Sequence, residues 1–121
     1  MTIFDLCSVV RETSFQIHCY LRSGHLERIY ANALAHRLKK RSINVSQEHP
    51  IEIFDEDGTQ LGHYVADFFV EGQLIVELKA CNAIVPEHIA QVLGYLRGAR
   101  LQHGMLVNFG APKLQVKKLI L

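Results

Sequence analysis

Tryptophan is absent from this 121-residue chain, and proline occurs only three times, never before Pro50. The first forty residues therefore hold no obligate helix breaker. No apolar run approaches the roughly eighteen residues that a membrane-crossing helix needs, so a membrane span is not expected. Cysteine is sparse and odd in number: Cys7, Cys19 and Cys81 lie far apart, and no pair has zinc-finger spacing. Free thiols in a reducing compartment are the simplest account. Residues 1–15 lack a secretory pattern, because Asp5, Arg11 and Glu12 interrupt the apolar stretch. The chain reads as cytoplasmic. An excess of one charge is also missing, with a net charge of +1 and a pI near 7.8. A dedicated nucleic-acid binder more often has a domain pI above about 9, so bulk charge lends no support to a polyanion partner. Only Lys39-Lys40-Arg41 and the Lys113, Lys117, Lys118 group remain as local basic clusters, and each alone reads as solvated surface.

What is present is ordinary globular composition, 49% hydrophobic and 21% charged, enough for one domain spanning residues 1–121 with a real core. Apolar spacing predicts a helix over residues 3–21, broken at Ser23-Gly24. A second begins near His25 and carries Leu26, Ile29, Tyr30, Ala33, Leu34 and Leu38 at three- and four-residue intervals. Its basic end at Lys39-Lys40-Arg41 suits the negative pole of the helix dipole. The period then falls to two. Val45–His49 and Ile51–Phe54 read as extended segments on either side of Pro50, and Asp55-Glu56-Asp57-Gly58 as a turn. Strands over residues 61–70 and 74–80 follow, joined by the hairpin loop Glu71-Gly72-Gln73. Pro86 opens a third helix with the stripe Ile89, Val92, Leu93, Leu96 and Ala99. Met105–Phe109 reads as a buried strand and Leu114–Leu121 as an edge strand. The order helix, helix, three strands, helix, one or two strands predicts an α/β or α+β layer, a mixed sheet flanked by helices.

Within LIVELKA, residues 74–80, Glu77 and Lys79 project from one face of a strand that otherwise reads as buried. If Glu71-Gly72-Gln73 is the loop, Val70 pairs with Leu74 and Asp67 falls opposite Glu77, about 5 Å away on the same face. Two facing carboxylates repel, and a divalent cation removes the conflict. Lys79 beside them is placed to orient a water or to offset charge developing on a phosphate. A plain Asp67–Lys79 salt bridge on an exposed strand face is the competing account. No metal-binding histidine pair, glycine-rich phosphate loop or serine elbow points to other hydrolytic chemistry.

Gly24-His25-Leu26-Glu27-Arg28-Ile29-Tyr30 fits a GxxExxY signature, and YVADFFV, LIVELKA, EHIAQVLGYLR and GMLVNFG follow it in order. Together, over roughly Phe4 to Leu119, the chain resembles the GxxExxY proteins, a group within the PD-(D/E)XK nuclease superfamily. The resemblance implies a restriction-endonuclease-like core (helix, three strands, helix, strand) with one extra N-terminal helix here. It also implies a nuclease hydrolysing phosphodiesters of nucleic acid, DNA before RNA. Asp67 and Glu77 would be its acids, Lys79 its lysine, and Glu27 a helical acid approaching the metal. Mg²⁺ or Mn²⁺ would be held by Asp67, Glu77 and the Leu78 backbone carbonyl. Gln91 and Tyr95 match a Q-x-x-x-Y pattern lining the substrate side. Ala66 stands where the superfamily name has proline, and Arg22-Ser23 where Gly-Pro is expected before Gly24. Homodimerisation stays open. Read without the resemblance, Glu27 could simply cap its own helix, and Tyr30 belongs to the apolar stripe. A non-catalytic module on the same fold, binding nucleic acid or protein, is the alternative function.

Overall fold

Thr2 starts the first helix: its hydroxyl accepts the Asp5 N–H at 3.1 Å, satisfying one of the donors a helix start leaves over. The computed structural model describes residues 1–121. In chain order they form α1 (Ile3–Leu21), α2 (Glu27–Lys40), β1 (Val45–Phe54), β2 (Gln60–Val70), β3 (Leu74–Lys79), α3 (Pro86–Ala99), β4 (His103–Asn108) and β5 (Gln115–Ile120). α1 buries Leu6, Val10 and Ile17 at helical spacing. It ends at Arg22, held at φ 62° and ψ −177°. Glycine adopts that backbone shape freely, whereas a side chain there is strained. The departure from Gly-Pro at this junction is therefore a real cost to the chain.

The five strands lie in the order β1-β2-β3-β4-β5. All neighbours are antiparallel except β3 and β4, which run parallel, with α3 as the crossover between them. This is the mixed sheet with flanking helices that the element order predicts. Strand β1 runs unbroken through Pro50, where two segments were expected. It is an edge strand, the place in a sheet where proline is tolerated.

Each face of the sheet has its own core. On one side α1 and α2 pack Leu6, Tyr30 and Leu34 against Phe68, Val70, Val76, Leu78, Met105 and Phe109. On the other, α3 packs Val92, Tyr95 and Leu96 against Ile51, Ala66, Ile75 and Leu106. Burying one such large side chain contributes about 1.5–3 kcal/mol. Strict alternation would put Ala66 and Phe68 on the same side, yet they belong to opposite cores. On β1 the same reversal separates Val45 from Ile51, and Glu48, opposite Asp67 in that register, has φ 53°. Both strands change facing at the row that contains Asp67.

Candidate active site

The β2–β3 ladder runs from Val70↔Leu74 to Phe68↔Val76 and stops. In the next row carboxylates replace carbonyls. The Asp67 N–H donates to Glu77 Oε1 at 3.0 Å, and the Leu78 N–H donates to Asp67 Oδ2 at 2.8 Å. Each acid is thus pinned by the backbone of the opposite strand, across a gap where the two strands no longer pair. An extended residue sends its N–H and C=O to the same edge, so the Leu78 carbonyl also faces this gap. Leu78 itself anchors the row, because its side chain is fully buried in the core under α1 and α2. Lys79 follows Glu77 on the same strand face, with Nζ 3.9 Å from Glu77 Oε2. Register counting brings Asp67 level with Glu77, but the strand pairing ends one row earlier, and the contacts between the two strands there run from side chain to backbone.

Glu77 is only 5% exposed. Burial pushes its carboxyl up to about 7, helped by the neighbouring Asp67 charge and opposed by the Asp67 N–H and by Lys79. Asp67 is also raised, mainly by burial, with the Leu78 N–H and Lys79 opposing and Glu48 adding to the rise. Glu27 rises for the same reasons, burial first and the charge of Asp67 second. Burial and the mutual repulsion of Asp67, Glu77 and Glu27 therefore all disfavour their ionised forms, and the Lys79 ammonium works against that rise at each of them. Neighbouring carboxylate oxygens that disfavour one another's charge fit a hard divalent cation. No three His, Cys, Asp or Glu side chains converge into a ready cage. Two carboxylates and a carbonyl are what the gap offers, and Mg²⁺ is commonly held by one or two carboxylates with the rest of its shell left to water and substrate.

Glu27 is the first residue of α2, after Leu26, which makes no side-chain cap bond. It is thus not three residues past a capping residue and makes no capping box, although as an acid in the first turn it meets the positive end of the helix dipole. Its carboxyl borders a cavity of about 330 Å³ shared with Arg28, Asn32, Gln47, Glu48 and Asp67. Tyr30 fixes this end of the helix. Its hydroxyl donates to the Arg22 carbonyl and accepts the His25 N–H at 3.1 Å, while its buried ring stacks on Phe109 at 4.6 Å and 9°.

On the α3 side, Gln91 Nε2 donates to the Tyr95 hydroxyl at 2.8 Å. Tyr95 is buried, and its hydroxyl is pushed up to about 12, chiefly by burial and then by the Glu77 charge. Asp67, Glu77 and Lys79 therefore meet at the gap, with Glu27 near it on one side of the sheet and the Gln91–Tyr95 pair on the other. The largest cavity, about 860 Å³, lies elsewhere, between α1 and the β4–β5 connection, and none of these residues lines it.

Two contributors were not anticipated. Glu48 enters through the β1–β2 register, which no local pattern reveals. Asn108, fully buried at the end of β4, accepts the Cys81 and Gly110 N–H groups at 3.0 Å and donates to the Cys81 carbonyl and Gln115 Oε1 at 2.9 Å. With the Phe109 N–H to Lys79 carbonyl bond of 2.8 Å, it fixes the chain as it leaves Lys79. Gly110 is required there, since a Cβ would strike the Cys81 backbone. A polar residue inside the otherwise apolar run MLVNF was the available signal.

The architecture has a counterpart among solved structures. The crystal structure of SSO0001 superposes with a TM-score of 0.63 at 18% identity, over 77% of this chain and 48% of that one, so the matched region spans about half the length of that protein. At this identity the likeness speaks for the fold. No protein of curated function matches the chain. No helix is long and apolar enough to cross a membrane. A sequence profile described as the PD-(D/E)XK nuclease superfamily matches residues 4–119. On that match, and with a five-stranded mixed sheet and three helices consistent with a restriction-endonuclease-like fold, the chain belongs to the PD-(D/E)XK nuclease superfamily.

Proposed function

We propose that the chain is a metal-dependent nuclease of the GxxExxY kind, hydrolysing phosphodiester bonds of nucleic acid, with DNA as the favoured substrate. The observation that carries this reading is the break in the β2–β3 ladder. There Asp67 and Glu77 each accept a backbone N–H from the other strand, and Lys79 stands 3.9 Å from Glu77. Such an arrangement spends one oxygen of each acid on the backbone and leaves Asp67 Oδ1 and Glu77 Oε2 for a ligand. Those two oxygens and the Leu78 carbonyl would hold Mg²⁺ or Mn²⁺. A divalent ion bound there supplies Lewis-acid polarisation of the phosphate and a more acidic water.

The protein's own groups have separable tasks. The backbone donors at Asp67 and Leu78 orient the two carboxylates before any ligand arrives, so little reorganisation is needed. The Lys79 ammonium offsets negative charge that grows on the phosphoryl oxygens. Glu27, across the cavity from Asp67, holds water on the α2 side. Gln91 and Tyr95 hold substrate from the α3 side.

The test is a panel of linear duplex, circular and single-stranded DNA plus RNA, each with Mg²⁺, Mn²⁺ or EDTA, with Lys79→Ala beside the unaltered protein. Cleavage is expected with metal and lost with EDTA or Lys79→Ala. Cleavage surviving both treatments would assign the activity to something else, and binding without cleavage across the whole panel would favour a non-catalytic module.

A further inference from the structure

Gly94 occupies the middle of α3, where glycine weakens a helix relative to alanine. Gly98, one turn on, lies against Ile53, whose flexible Cδ1 tip would have to shift to admit a Cβ. Gly94 has no such neighbour: a Cβ would meet no atom within 4 Å. What Gly94 borders is a cavity of about 250 Å³ whose other walls are Tyr64, Ala90, Gln91 and Tyr95. The small residues on α3 keep this space open.

The walls define the ligand. Tyr64 is 46% exposed, and its ring lies 5.4 Å from that of Tyr95, inclined by 45°. Gln91 spends one amide hydrogen on the Tyr95 hydroxyl, which leaves its second N–H and its carbonyl oxygen for another partner. No charged side chain lines the cavity, so it is poorly suited to a phosphate, which calls for cations. A flat, uncharged ring with donors and acceptors on its edge suits it well. The cavity also adjoins the ladder break. Tyr64 precedes Asp67 by three residues of strand, about 10 Å, a span of a few nucleotides.

We propose that this cavity receives one unstacked nucleobase of single-stranded nucleic acid, stacked on Tyr64 and bonded along its edge by the Gln91 amide and the Tyr95 hydroxyl. Bases inside an intact duplex are stacked and paired and cannot enter, so the site selects single strands, frayed ends or flaps. This inference rests on the nuclease reading, since it names the form of substrate that would reach the same gap.

The experiment uses the Lys79→Ala protein with Mg²⁺ as a non-cleaving background. Fluorescein-labelled single-stranded DNA, a duplex of the same sequence, and a single strand carrying 2-aminopurine are the probes. Adding Tyr64→Ala should weaken single-strand binding roughly tenfold, the scale of one base-stacking contact, while duplex binding stays unchanged. Tyr64→Phe should keep most of the affinity. Gly94→Leu should fill the cavity in a helix with better intrinsic propensity. It should melt no lower than its parent, yet lose single-strand affinity and the quenching of 2-aminopurine. Unchanged single-strand binding in Tyr64→Ala and Gly94→Leu would overturn the base site, as would an equal loss on duplex. The nuclease reading would still stand if the unaltered protein cuts with metal. Absence of both cleavage and nucleic-acid binding would overturn the two together.

Discussion

From Phe68 to Val70, β2 is bonded on both edges, to β1 and to β3; from Gln60 to Ala66 it is bonded to β1 alone. The inner stretch is mostly buried, with Phe68 and Val70 at 0% exposure, while every residue from Gln60 to Val65 is exposed. Asp67 is the boundary between them. A carboxylate needs N–H donors that a sheet ladder has not already consumed, and those become free only where the ladder ends. Further inside, Asp67 would have no donor and would meet only apolar neighbours. Further out, it would be a solvated surface acid. The site sits at the one row where burial and unspent backbone donors coincide.

The largest expected contrast is in stability. Phe68→Ala should cost about 3–5 kcal/mol, because it opens a cavity in the core between the sheet and the two N-terminal helices. Val65→Ala, three residues away on the outer stretch, should stay within about 0.5 kcal/mol. Urea unfolding of both variants measures the difference, and comparable losses would mean that the two stretches are one continuous core strand. In activity, Lys79→Ala should lower metal-dependent cleavage by about 10²–10³-fold, the range seen when one preorganised electrostatic stabiliser is removed. A variant that cuts within a few fold of the unaltered protein would show that the charge at the boundary is not used.

The boundary should also make stability depend on pH. Glu77 titrates near 7 in the folded chain, above the value of about 4.3 for an unperturbed glutamate. The folded state therefore holds a proton that the unfolded state releases earlier. Its stabilising effect is complete below about pH 4.3 and is lost as pH rises through about 7. The upward shifts of Asp67 and Glu27 act in the same direction. In EDTA, the unaltered protein should lose melting temperature between pH 5 and pH 8 relative to Glu77→Gln, which cannot titrate. Mg²⁺ should return part of the loss at pH 8 and little at pH 5. A difference between the two proteins that does not change with pH would remove the repulsion on which the metal reading leans.

Much of this boundary could be read from local pattern. The loop Glu71-Gly72-Gln73 fixes Val70 opposite Leu74, and counting back from it brings Asp67 level with Glu77. α1 and the α3 stripe follow directly from apolar spacing. The end of the ladder could not be counted, because register arithmetic assumes that pairing continues. The reversal of facing at Glu48 and Asp67 depends on two separate cores competing for one strand pair, which is a tertiary effect. Tyr64 and Glu48 carry no local signal, because the groups they border lie on α3 and α2, far away in sequence. Pro50 looked like an interruption because proline's cost depends on whether a strand is at the edge, and strand order is not a local property.

The smallest effect concerns how the boundary is held from above. Tyr30 lies in the Gly24–Tyr30 stretch, and its hydroxyl ties the Arg22 carbonyl to the His25 N–H just before α2 begins. Tyr30→Phe keeps the ring that stacks on Phe109 and removes only these bonds. Both backbone groups belong to exposed residues and can turn to water, so the cost should be about 0.5–1.5 kcal/mol, well below that of Phe68→Ala. The freed helix start lets Glu27 move relative to Asp67. Cleavage should therefore fall a few fold, while hydrogen exchange at Phe68, Phe69 and Val70 stays as slow as before. Faster exchange there would mean that the junction supports the inner stretch of β2 itself, and that the two stretches differ less than their bonding suggests.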